Sequence, residues 1–165
     1  MNLLVKKAQR GDAEAFITLM EEQKMTLKRV AYGYLGNEED AADAIQETIL
    51  DAFEHMDGLR KPEYFKTWLV RILINNCNSI YKHNQKNTGM DEIGERMTTE
   101  DGHTDVEFRE LLRSLPEGSR LIFQLYFGEQ FTTREIAELL DMKENTVKSR
   151  LHRGKEQLRA QLQTC

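Results

Sequence analysis

The 165-residue sequence predicts an all-α protein made of two small helical domains. Apolar residues recur at helical spacing over most of the chain, and no strand-like alternation interrupts them. Only two prolines and ten glycines are present, so few residues break long helices. A polar, acidic stretch without apolar periodicity separates the two periodic parts. We therefore predict a domain over residues 1–86, a flexible acidic linker over 87–104 and a second domain over 105–165.

Four helices are expected in the first domain. A short one ends at Gly11, Asp12 and Asn37 suit the caps of the next two, and Gly36 suits the left-handed residue that closes a helix. The fourth helix is predicted from near Glu63 to about His83. The predicted buried stripes are Phe16, Met20, Leu27, Val30, Ala31 and Tyr34 in the second helix, Ile45, Ile49, Ala52, Phe53 and Met56 in the third, and Phe65, Trp68, Leu69, Ile72 and Ile80 in the fourth.

The formal net charge of −5 conceals a segregation of charge along the chain. Residues 37–57 carry eight acids and no Lys or Arg, whereas residues 60–86 carry six bases and one acid. Residues 87–110 carry eight acids against two bases, and residues 142–160 carry six bases against two acids. The two basic blocks can bind a polyanion, and the acidic blocks are expected to face a different partner.

Several classes of function find no support in the sequence. The most apolar run, residues 69–74, is far shorter than the roughly 20 residues of a membrane span, and the N-terminus has no apolar signal region. We expect a cytoplasmic protein. Cys77 is expected to be packed in a helix, and Cys165 is the last residue of the chain. The histidines lack metal-ligand spacing, and no catalytic constellation is present, so we expect no metal, no cofactor, no small-molecule substrate and no enzymatic activity.

Residues 132–151 carry the strongest local signal, that of a helix-turn-helix. Thr132 or Thr133 can cap the first helix, predicted over 133–140, and the second is predicted over 144–161. The helices are expected to meet through the small Ala137 and through Ile136, Leu140, Val147 and Leu151. Asp141 stands at the turn where glycine is usual, and it tolerates the left-handed conformation better than most residues.

The second of these helices is predicted to enter the major groove of DNA with its N-terminal half. Arg and Lys can bind guanine or phosphate, and hydroxyl and amide groups near a helix start suit phosphate. The candidate DNA-binding residues are Lys143, Asn145, Thr146, Lys148, Ser149, Arg150, His152 and Arg153. An ordinary helical hairpin with a solvated basic face is the alternative that periodicity alone leaves open.

A second candidate nucleic-acid segment combines bases with aromatic residues over 60–86. Aromatic faces and a basic groove suit an unpaired DNA strand, whose bases stack while its phosphates are neutralised. At helical spacing, Phe65, Trp68 and Ile72 are more often core residues than base platforms. Tyr64, Arg60 and Lys61 are better candidates for contact.

Three segments together resemble the sigma-70 family, specifically its extracytoplasmic-function group of RNA polymerase sigma factors. Residues 145–153 (NTVKSRLHR) resemble the recognition helix of that family. Residues 43–48 (DAIQET) resemble its core-binding helix, and residues 65–72 (FKTWLVRI) with Asn75 resemble the helix that reads and opens the minus-10 element. The chain differs from many members at Ser79, where they carry Asp, and at Lys82, where Arg is frequent.

The resemblance implies roles for particular residues. Asp43, Gln46 and Glu47 would bind the clamp helices of core RNA polymerase, which form a basic coiled coil, and the protein would also contact the polymerase flap. The minus-10 element would be bound by Arg60, Lys61, Tyr64, Lys66, Arg71, Asn75, Ser79 and Lys82. The minus-35 element would be read by the helix-turn-helix residues named above, and the acidic linker would pass toward the RNA path. A membrane-anchored anti-sigma factor would cover these surfaces and hold the protein inactive.

The competing hypothesis is an autonomous dimeric helix-turn-helix regulator that binds palindromic sites. It explains the C-terminal motif but leaves the first hundred residues without a function. A helical adaptor that binds only proteins would make no use of the basic recognition helix.

Overall fold

A computed structural model of the chain describes residues 1–88, Leu115 and residues 117–164. The chain divides into two compact units, Met1–Arg96 and Met97–Cys165. All regular elements of the described residues are helices, which confirms the all-α prediction. In the described residues no helix is long and apolar enough to cross a membrane. The predicted linker beyond residue 88 and residues 105–114 of the predicted second domain lie outside the described residues, so the domain boundaries stay a prediction.

Four helices build the first unit: α1 (Asn2–Gln9), α2 (Ala13–Leu35), α3 (Glu38–Glu54) and α4 (Phe65–Thr88). The predicted caps are present. The Asp12 carboxylate accepts hydrogen bonds from the backbone N–H groups of Glu14 and Ala15, and the Asn37 side chain accepts one from Asp40 N–H. Gly36 is left-handed, with φ of 81°. The starts of α2 and α3 thus provide acceptors for N–H groups that would otherwise lack one.

The core of the first unit forms where α4 packs against α2 and α3. Phe65, Leu69, Val70, Leu73 and Cys77 are completely buried on α4, and Leu19, Leu27, Val30 and Ala31 are buried on α2. Ile72 and Ile80, predicted to face inward, are only half-buried, as is Trp68. The inward face of α4 is therefore centred on Leu69 and Leu73.

The buried stripe predicted for α3 was wrong in part. Its buried residues are the small Ala41, Ala44, Thr48 and Ala52, whereas Ile45 and Ile49 are half-buried. Phe53 is 60% exposed, although its ring packs edge-to-face on Phe16 with centroids 5.3 Å apart. Small residues face α2 and α4 because they let the helix backbones approach closely, and this turns the larger apolar side chains of α3 toward the surface.

Asparagine side chains connect α4 to α3. Asn76 Nδ2 donates to Thr48 Oγ1 at 3.0 Å and to Asp51 Oδ2 at 3.1 Å, and Asn84 Nδ2 donates to Asp40 Oδ2 at 2.8 Å. Asparagine is a poor helix former, but here it satisfies polar atoms between two packed helices. Helix α4 continues to Thr88, five residues past the predicted end at His83, and the Asn84–Asp40 hydrogen bond lies in this additional part.

The second unit contains α5 (Glu117–Phe123), a π-helical turn (Gln124–Gly128), α6 (Thr133–Leu140) and α7 (Glu144–Thr164). Its core includes Leu115, Ile122, Leu125, Ile136 and Val147, all less than 3% exposed. The turn holds a buried hydrogen bond from Gln124 Nε2 to Glu129 Oε2, at 3.1 Å.

Burial raises the pKa of the Cys77 thiol to about 12, from an ordinary value of 9.0. The pKa of Tyr34 is raised too, mainly by burial and less by Cys77 and Tyr81. The unfolded thiol ionises near pH 9, whereas the folded one stays neutral until about pH 12. The free energy of unfolding should therefore fall as pH rises through this window, by up to about 1.4 kcal/mol per pH unit for this one group.

Replacing Cys77 by Ala removes that group, so Cys77→Ala should lose stability with rising pH less steeply than the wild type. Urea unfolding at several values from pH 8 to pH 11 would measure this, followed by the fluorescence of Trp68, the single tryptophan, which lies in the first unit. The variant is expected to be less stable than wild type at pH 8 because it leaves a cavity. Parallel pH slopes for the two proteins would contradict the prediction.

Candidate nucleic-acid and polymerase interface

The helix-turn-helix forms as the sequence predicted. Thr132 caps α6 in a capping box: its hydroxyl accepts from Glu135 N–H at 3.1 Å, and the Glu135 carboxylate accepts from Thr132 N–H at 2.9 Å. Asp141 is left-handed, with φ of 57°, and ends α6. Thr133 Oγ1 donates to Glu144 Oε2 at 2.9 Å, which connects the first turns of α6 and α7. These bonds set the angle between the two helices.

Packing of α7 determines which of its side chains reach solvent. Val147, Leu151 and Gly154 face the core, and Ile136 and Ala137 of α6 are buried beside them. Leu140, expected in this contact, is half-buried, and Leu139 is buried instead. The three inward positions of α7 follow helical spacing, so the residues between them point outward.

The predicted recognition residues form the outward face of α7 and the turn before it. Lys143, Asn145, Lys148, Ser149, His152 and Arg153 are exposed, and Thr146 and Arg150 are half-buried. Lys148, Ser149, His152 and Arg153 line one shallow concavity. Lys148 Nζ lies 3.7 Å from the Glu144 carboxylate, but the two side chains are 60% and 42% exposed, so this ion pair is weak and a phosphate can replace the carboxylate.

Gly154 is the residue that lets α7 approach α5. A Cβ atom at this position would lie 2.3 Å from Cε1 and 2.7 Å from Cζ of Phe123. The Phe123 ring is 2% exposed and cannot swing into solvent without opening the core. This role of Gly154 was not predicted from the sequence, although a lone glycine in the interior of a predicted helix is a signal of close packing.

The second basic surface lies in the first unit. Arg71, Asn75, Ser79 and Lys82 are all exposed and share one face of α4, because they are spaced three or four residues apart. Arg60, Lys61 and Tyr64 are exposed in the segment before α4, which contains a 3-10 turn at Pro62–Tyr64. Lys61 Nζ lies 5.9 Å from the centre of the Tyr64 ring. Lys66 is half-buried, and Phe65, considered as a base platform, is entirely in the core.

An acidic and apolar surface covers the exposed side of α3. Asp43, Gln46 and Glu47 are exposed at helical spacing, so they lie on one face. Leu50 and Phe53 follow on the same face, and each is 60% exposed. Phe53 was predicted to lie in the core, and Leu50 was not predicted to have a role. We refer to these five residues as the α3 surface.

Family profiles match both units. The profile described as Sigma-70 region 2 matches residues 19–87, and that described as Sigma-70, region 4 matches residues 105–158. The RNA polymerase sigma factor SigV of Bacillus subtilis is 32% identical over 161 residues, which covers 96% of each chain. The ECF RNA polymerase sigma factor SigW of the same organism is 27% identical, over 96% of this chain and 94% of its own.

Solved structures share the fold at lower identity. CnrH, solved in complex with the cytosolic domain of CnrY, has a TM-score of 0.70 and 23% identity, over 99% of this chain and 97% of its own. The sigma factor RpoE from Bartonella quintana, solved in complex with the anti-sigma factor NepR, has a TM-score of 0.76 and 21% identity, over 90% of this chain and 96% of its own.

A helical unit with a basic surface, followed by a helix-turn-helix unit, defines a class of transcription initiation factors that are not themselves enzymes. The chain belongs to the sigma-70 family, in its extracytoplasmic-function group. It is an alternative sigma factor that binds core RNA polymerase and directs promoter recognition and initiation. This function also employs the first unit, which an autonomous helix-turn-helix regulator would leave unused.

Replacing Gly154 by Ala should destabilise the second unit. The added Cβ collides with a buried ring, which costs about 1–3 kcal/mol, and the better helix propensity of Ala offsets up to about 1 kcal/mol of that. Thermal unfolding followed by circular dichroism would measure the change. Gln157→Ala, at an exposed position of the same helix, is the matched control.

The double variant Gly154→Ala with Phe123→Leu tests the cause. A smaller side chain at residue 123 makes room for the new methyl group, so the two substitutions together should cost less than the sum of their separate effects. Additive losses would show that the contact with Phe123 is not the reason for glycine.

Proposed function

We propose that α7 reads the minus-35 element, that residues 60–64 and the exposed face of α4 bind the minus-10 element, and that the α3 surface docks on core polymerase. The observation that carries this proposal is that three chemically different surfaces lie on residues that packing turns outward. Nearly all the proposed contact residues are exposed while their helical neighbours are buried. Lys66, Thr146 and Arg150 are half-buried and would contact DNA with their side-chain ends.

The minus-35 assignment rests on the chemistry of the α7 surface. Arg153 is exposed in the middle of α7 and can form two hydrogen bonds with guanine. Lys148 carries a point charge that suits phosphate, and Ser149 and Thr146 add hydroxyl donors near the helix start. Lys143 and Asn145 lie at the N-terminal end of α7, where the helix dipole favours a phosphate.

The minus-10 assignment rests on the combination of an exposed ring and a row of polar side chains. Tyr64 is 54% exposed and is followed by a helix that presents Arg71, Asn75, Ser79 and Lys82 along one side. An unpaired nucleobase can stack on the Tyr64 ring, and the positively charged Arg71 and Lys82 can neutralise the phosphates of the strand. Asn75 and Ser79 offer neutral hydrogen-bonding groups, although Ser79 Oγ also donates to Asn75 O at 3.2 Å.

The docking assignment joins charge with apolar area. Asp43 and Glu47 complement a basic partner and would accelerate its association, whereas Leu50 and Phe53 would contribute buried apolar surface once bound. Exposed apolar side chains of this size next to acidic residues are typical of a protein interface rather than of a surface that stays in water.

Regulation by an anti-sigma factor is part of the proposal. CnrH was solved in complex with the cytosolic domain of CnrY, and RpoE was solved in complex with the anti-sigma factor NepR. We propose that a membrane-anchored partner of this kind covers the same surfaces here, and that the sigma factor itself acts in the cytoplasm.

Replacing Arg153 by Ala should weaken binding to the matched promoter by about 1–3 kcal/mol and relax specificity at one position of the minus-35 element. Replacing Lys148 by Ala should instead weaken all promoters alike and lower the salt slope of binding by about one. Holoenzyme binding to promoter variants, measured across salt concentrations, separates the two effects. Arg159→Ala is the matched control, because Arg159 lies further along α7 and already contacts Glu156 at 3.6 Å. Identical behaviour of all three variants would show that α7 is wrongly assigned.

The docking surface is tested with two pairs of variants. Glu47→Ala should lower affinity for core polymerase mainly through a slower, salt-sensitive association, and Leu50→Ala should lower it by about 1–2 kcal/mol through faster dissociation. Glu22→Ala and Leu3→Ala are the matched controls, since Glu22 is exposed on α2 and Leu3 is 67% exposed on α1. Surface-capture kinetics with core polymerase would measure both rates. Controls that lose as much affinity as the test variants would rule out the α3 surface.

A further inference from the structure

Gln9, the last residue of α1, contacts backbone that is distant in the sequence. Its Nε2 donates to Met56 O at 3.0 Å and to Leu59 O at 2.7 Å, 47 and 50 residues further along the chain. Met56 is the first residue of the 3-10 turn Met56–Gly58, which joins α3 to the basic segment 60–64, and Leu59 directly follows the turn. The Gln9 side chain therefore holds the start of this turn and the residue after it.

The side-chain amide of Gln9 is suited to binding two carbonyl oxygens at once. A primary amide has two N–H donors on one nitrogen, and here each donor finds one carbonyl oxygen. Met56 O also accepts from Leu59 N–H at 3.3 Å, so the turn is held from inside and from α1. Val5 and Ala8 are buried and keep α1 in place, and α1 packs on α2 and on both 3-10 turns.

Fixing Leu59 matters because the proposed DNA contacts begin at the next residue. Leu59 is 6% exposed, whereas Arg60 and Lys61 are exposed and Tyr64 is 54% exposed. The segment bends back through a hydrogen bond from Tyr64 N–H to Lys61 O at 3.0 Å. Its N-terminal end is held at Leu59 and its C-terminal end by the buried Phe65, so the position of the Tyr64 ring depends on both anchors.

We propose that Gln9 is a positioning residue for minus-10 recognition: through its two hydrogen bonds, α1 holds the segment 60–64 in the conformation that binds the unpaired strand. The inference rests on the proposed role of that segment. Gln9 and α1 precede residue 19, where the match to the region 2 profile begins, so the role belongs to a part of the chain outside that match. Pre-positioning saves the ordering cost that a mobile segment would add to each promoter encounter.

The test uses the full-length protein with two substitutions of similar length. Gln9→Met keeps the size of the side chain and removes the donors, and Gln9→Glu replaces donors by acceptors that repel the carbonyls. Both should lower the ratio of transcripts from a matched promoter to those from a promoter altered in the minus-10 element, on the order of tenfold for two lost hydrogen bonds. Trypsin cleavage after Arg60 should become faster by a similar factor. Leu3→Ala, an exposed substitution on the same helix, should change neither measurement.

Selectivity for the minus-35 element, measured with the same holoenzymes, separates positioning from misfolding. It should stay at the wild-type level in both Gln9 variants, because that element is read by the second unit. A Gln9→Met protein with wild-type minus-10 selectivity would overturn the inference, and so would an equal loss of selectivity at both elements. The variants Lys61→Ala and Tyr64→Ala test separately whether segment 60–64 binds the minus-10 element. If both leave minus-10 selectivity unchanged, this segment is not the contact.

Discussion

Burial of one face of α4 against α2 and α3 is the constraint on which the first unit depends. Leu69, Val70, Leu73 and Cys77 are completely buried, and each large apolar side chain contributes about 1.5–3 kcal/mol on removal from water. A helix whose inward positions are fixed has no freedom to rotate. Arg71, Asn75, Ser79 and Lys82 must then face solvent, so the surface that we propose for the minus-10 element follows from the packing of the core.

Packing also determines which face of α7 reaches solvent, and here the close approach to α5 adds a steric requirement. Val147 and Leu151 fix its rotation, and Gly154 fixes how closely it approaches Phe123. The capping box at Thr132 and the left-handed Asp141 set where the helix begins relative to α6. Two residues that never contact DNA in this proposal, Gly154 and Asp141, therefore help to determine how Lys148 and Arg153 are presented.

The acids of α3 serve two purposes that net charge does not distinguish. Asp40 and Asp51 accept hydrogen bonds from asparagines of α4 and belong to the packing of the unit. Asp43 and Glu47 lie on the exposed side beside Leu50 and Phe53. The chain can thus be acidic overall and still bind DNA, because its negative charge is divided between internal contacts and the α3 surface, which we propose docks on core polymerase.

Features that depend on local interactions and on periodicity could be predicted from the amino-acid sequence. These are the helix caps at Asp12, Asn37 and Thr132, the left-handed Gly36 and Asp141, and the helix-turn-helix, because residues within a few positions of one another decide them. Features that depend on distant partners became visible only in the folded chain. Phe53 is exposed because the small residues of α3 are the ones that face α2 and α4. Helix α4 continues to Thr88, past the contact between Asn84 and Asp40. The acceptors of Gln9 lie 47 and 50 residues away in the sequence. A periodic pattern shows that a helix has an apolar side, but the shapes of the packed neighbours decide which residues on that side are covered.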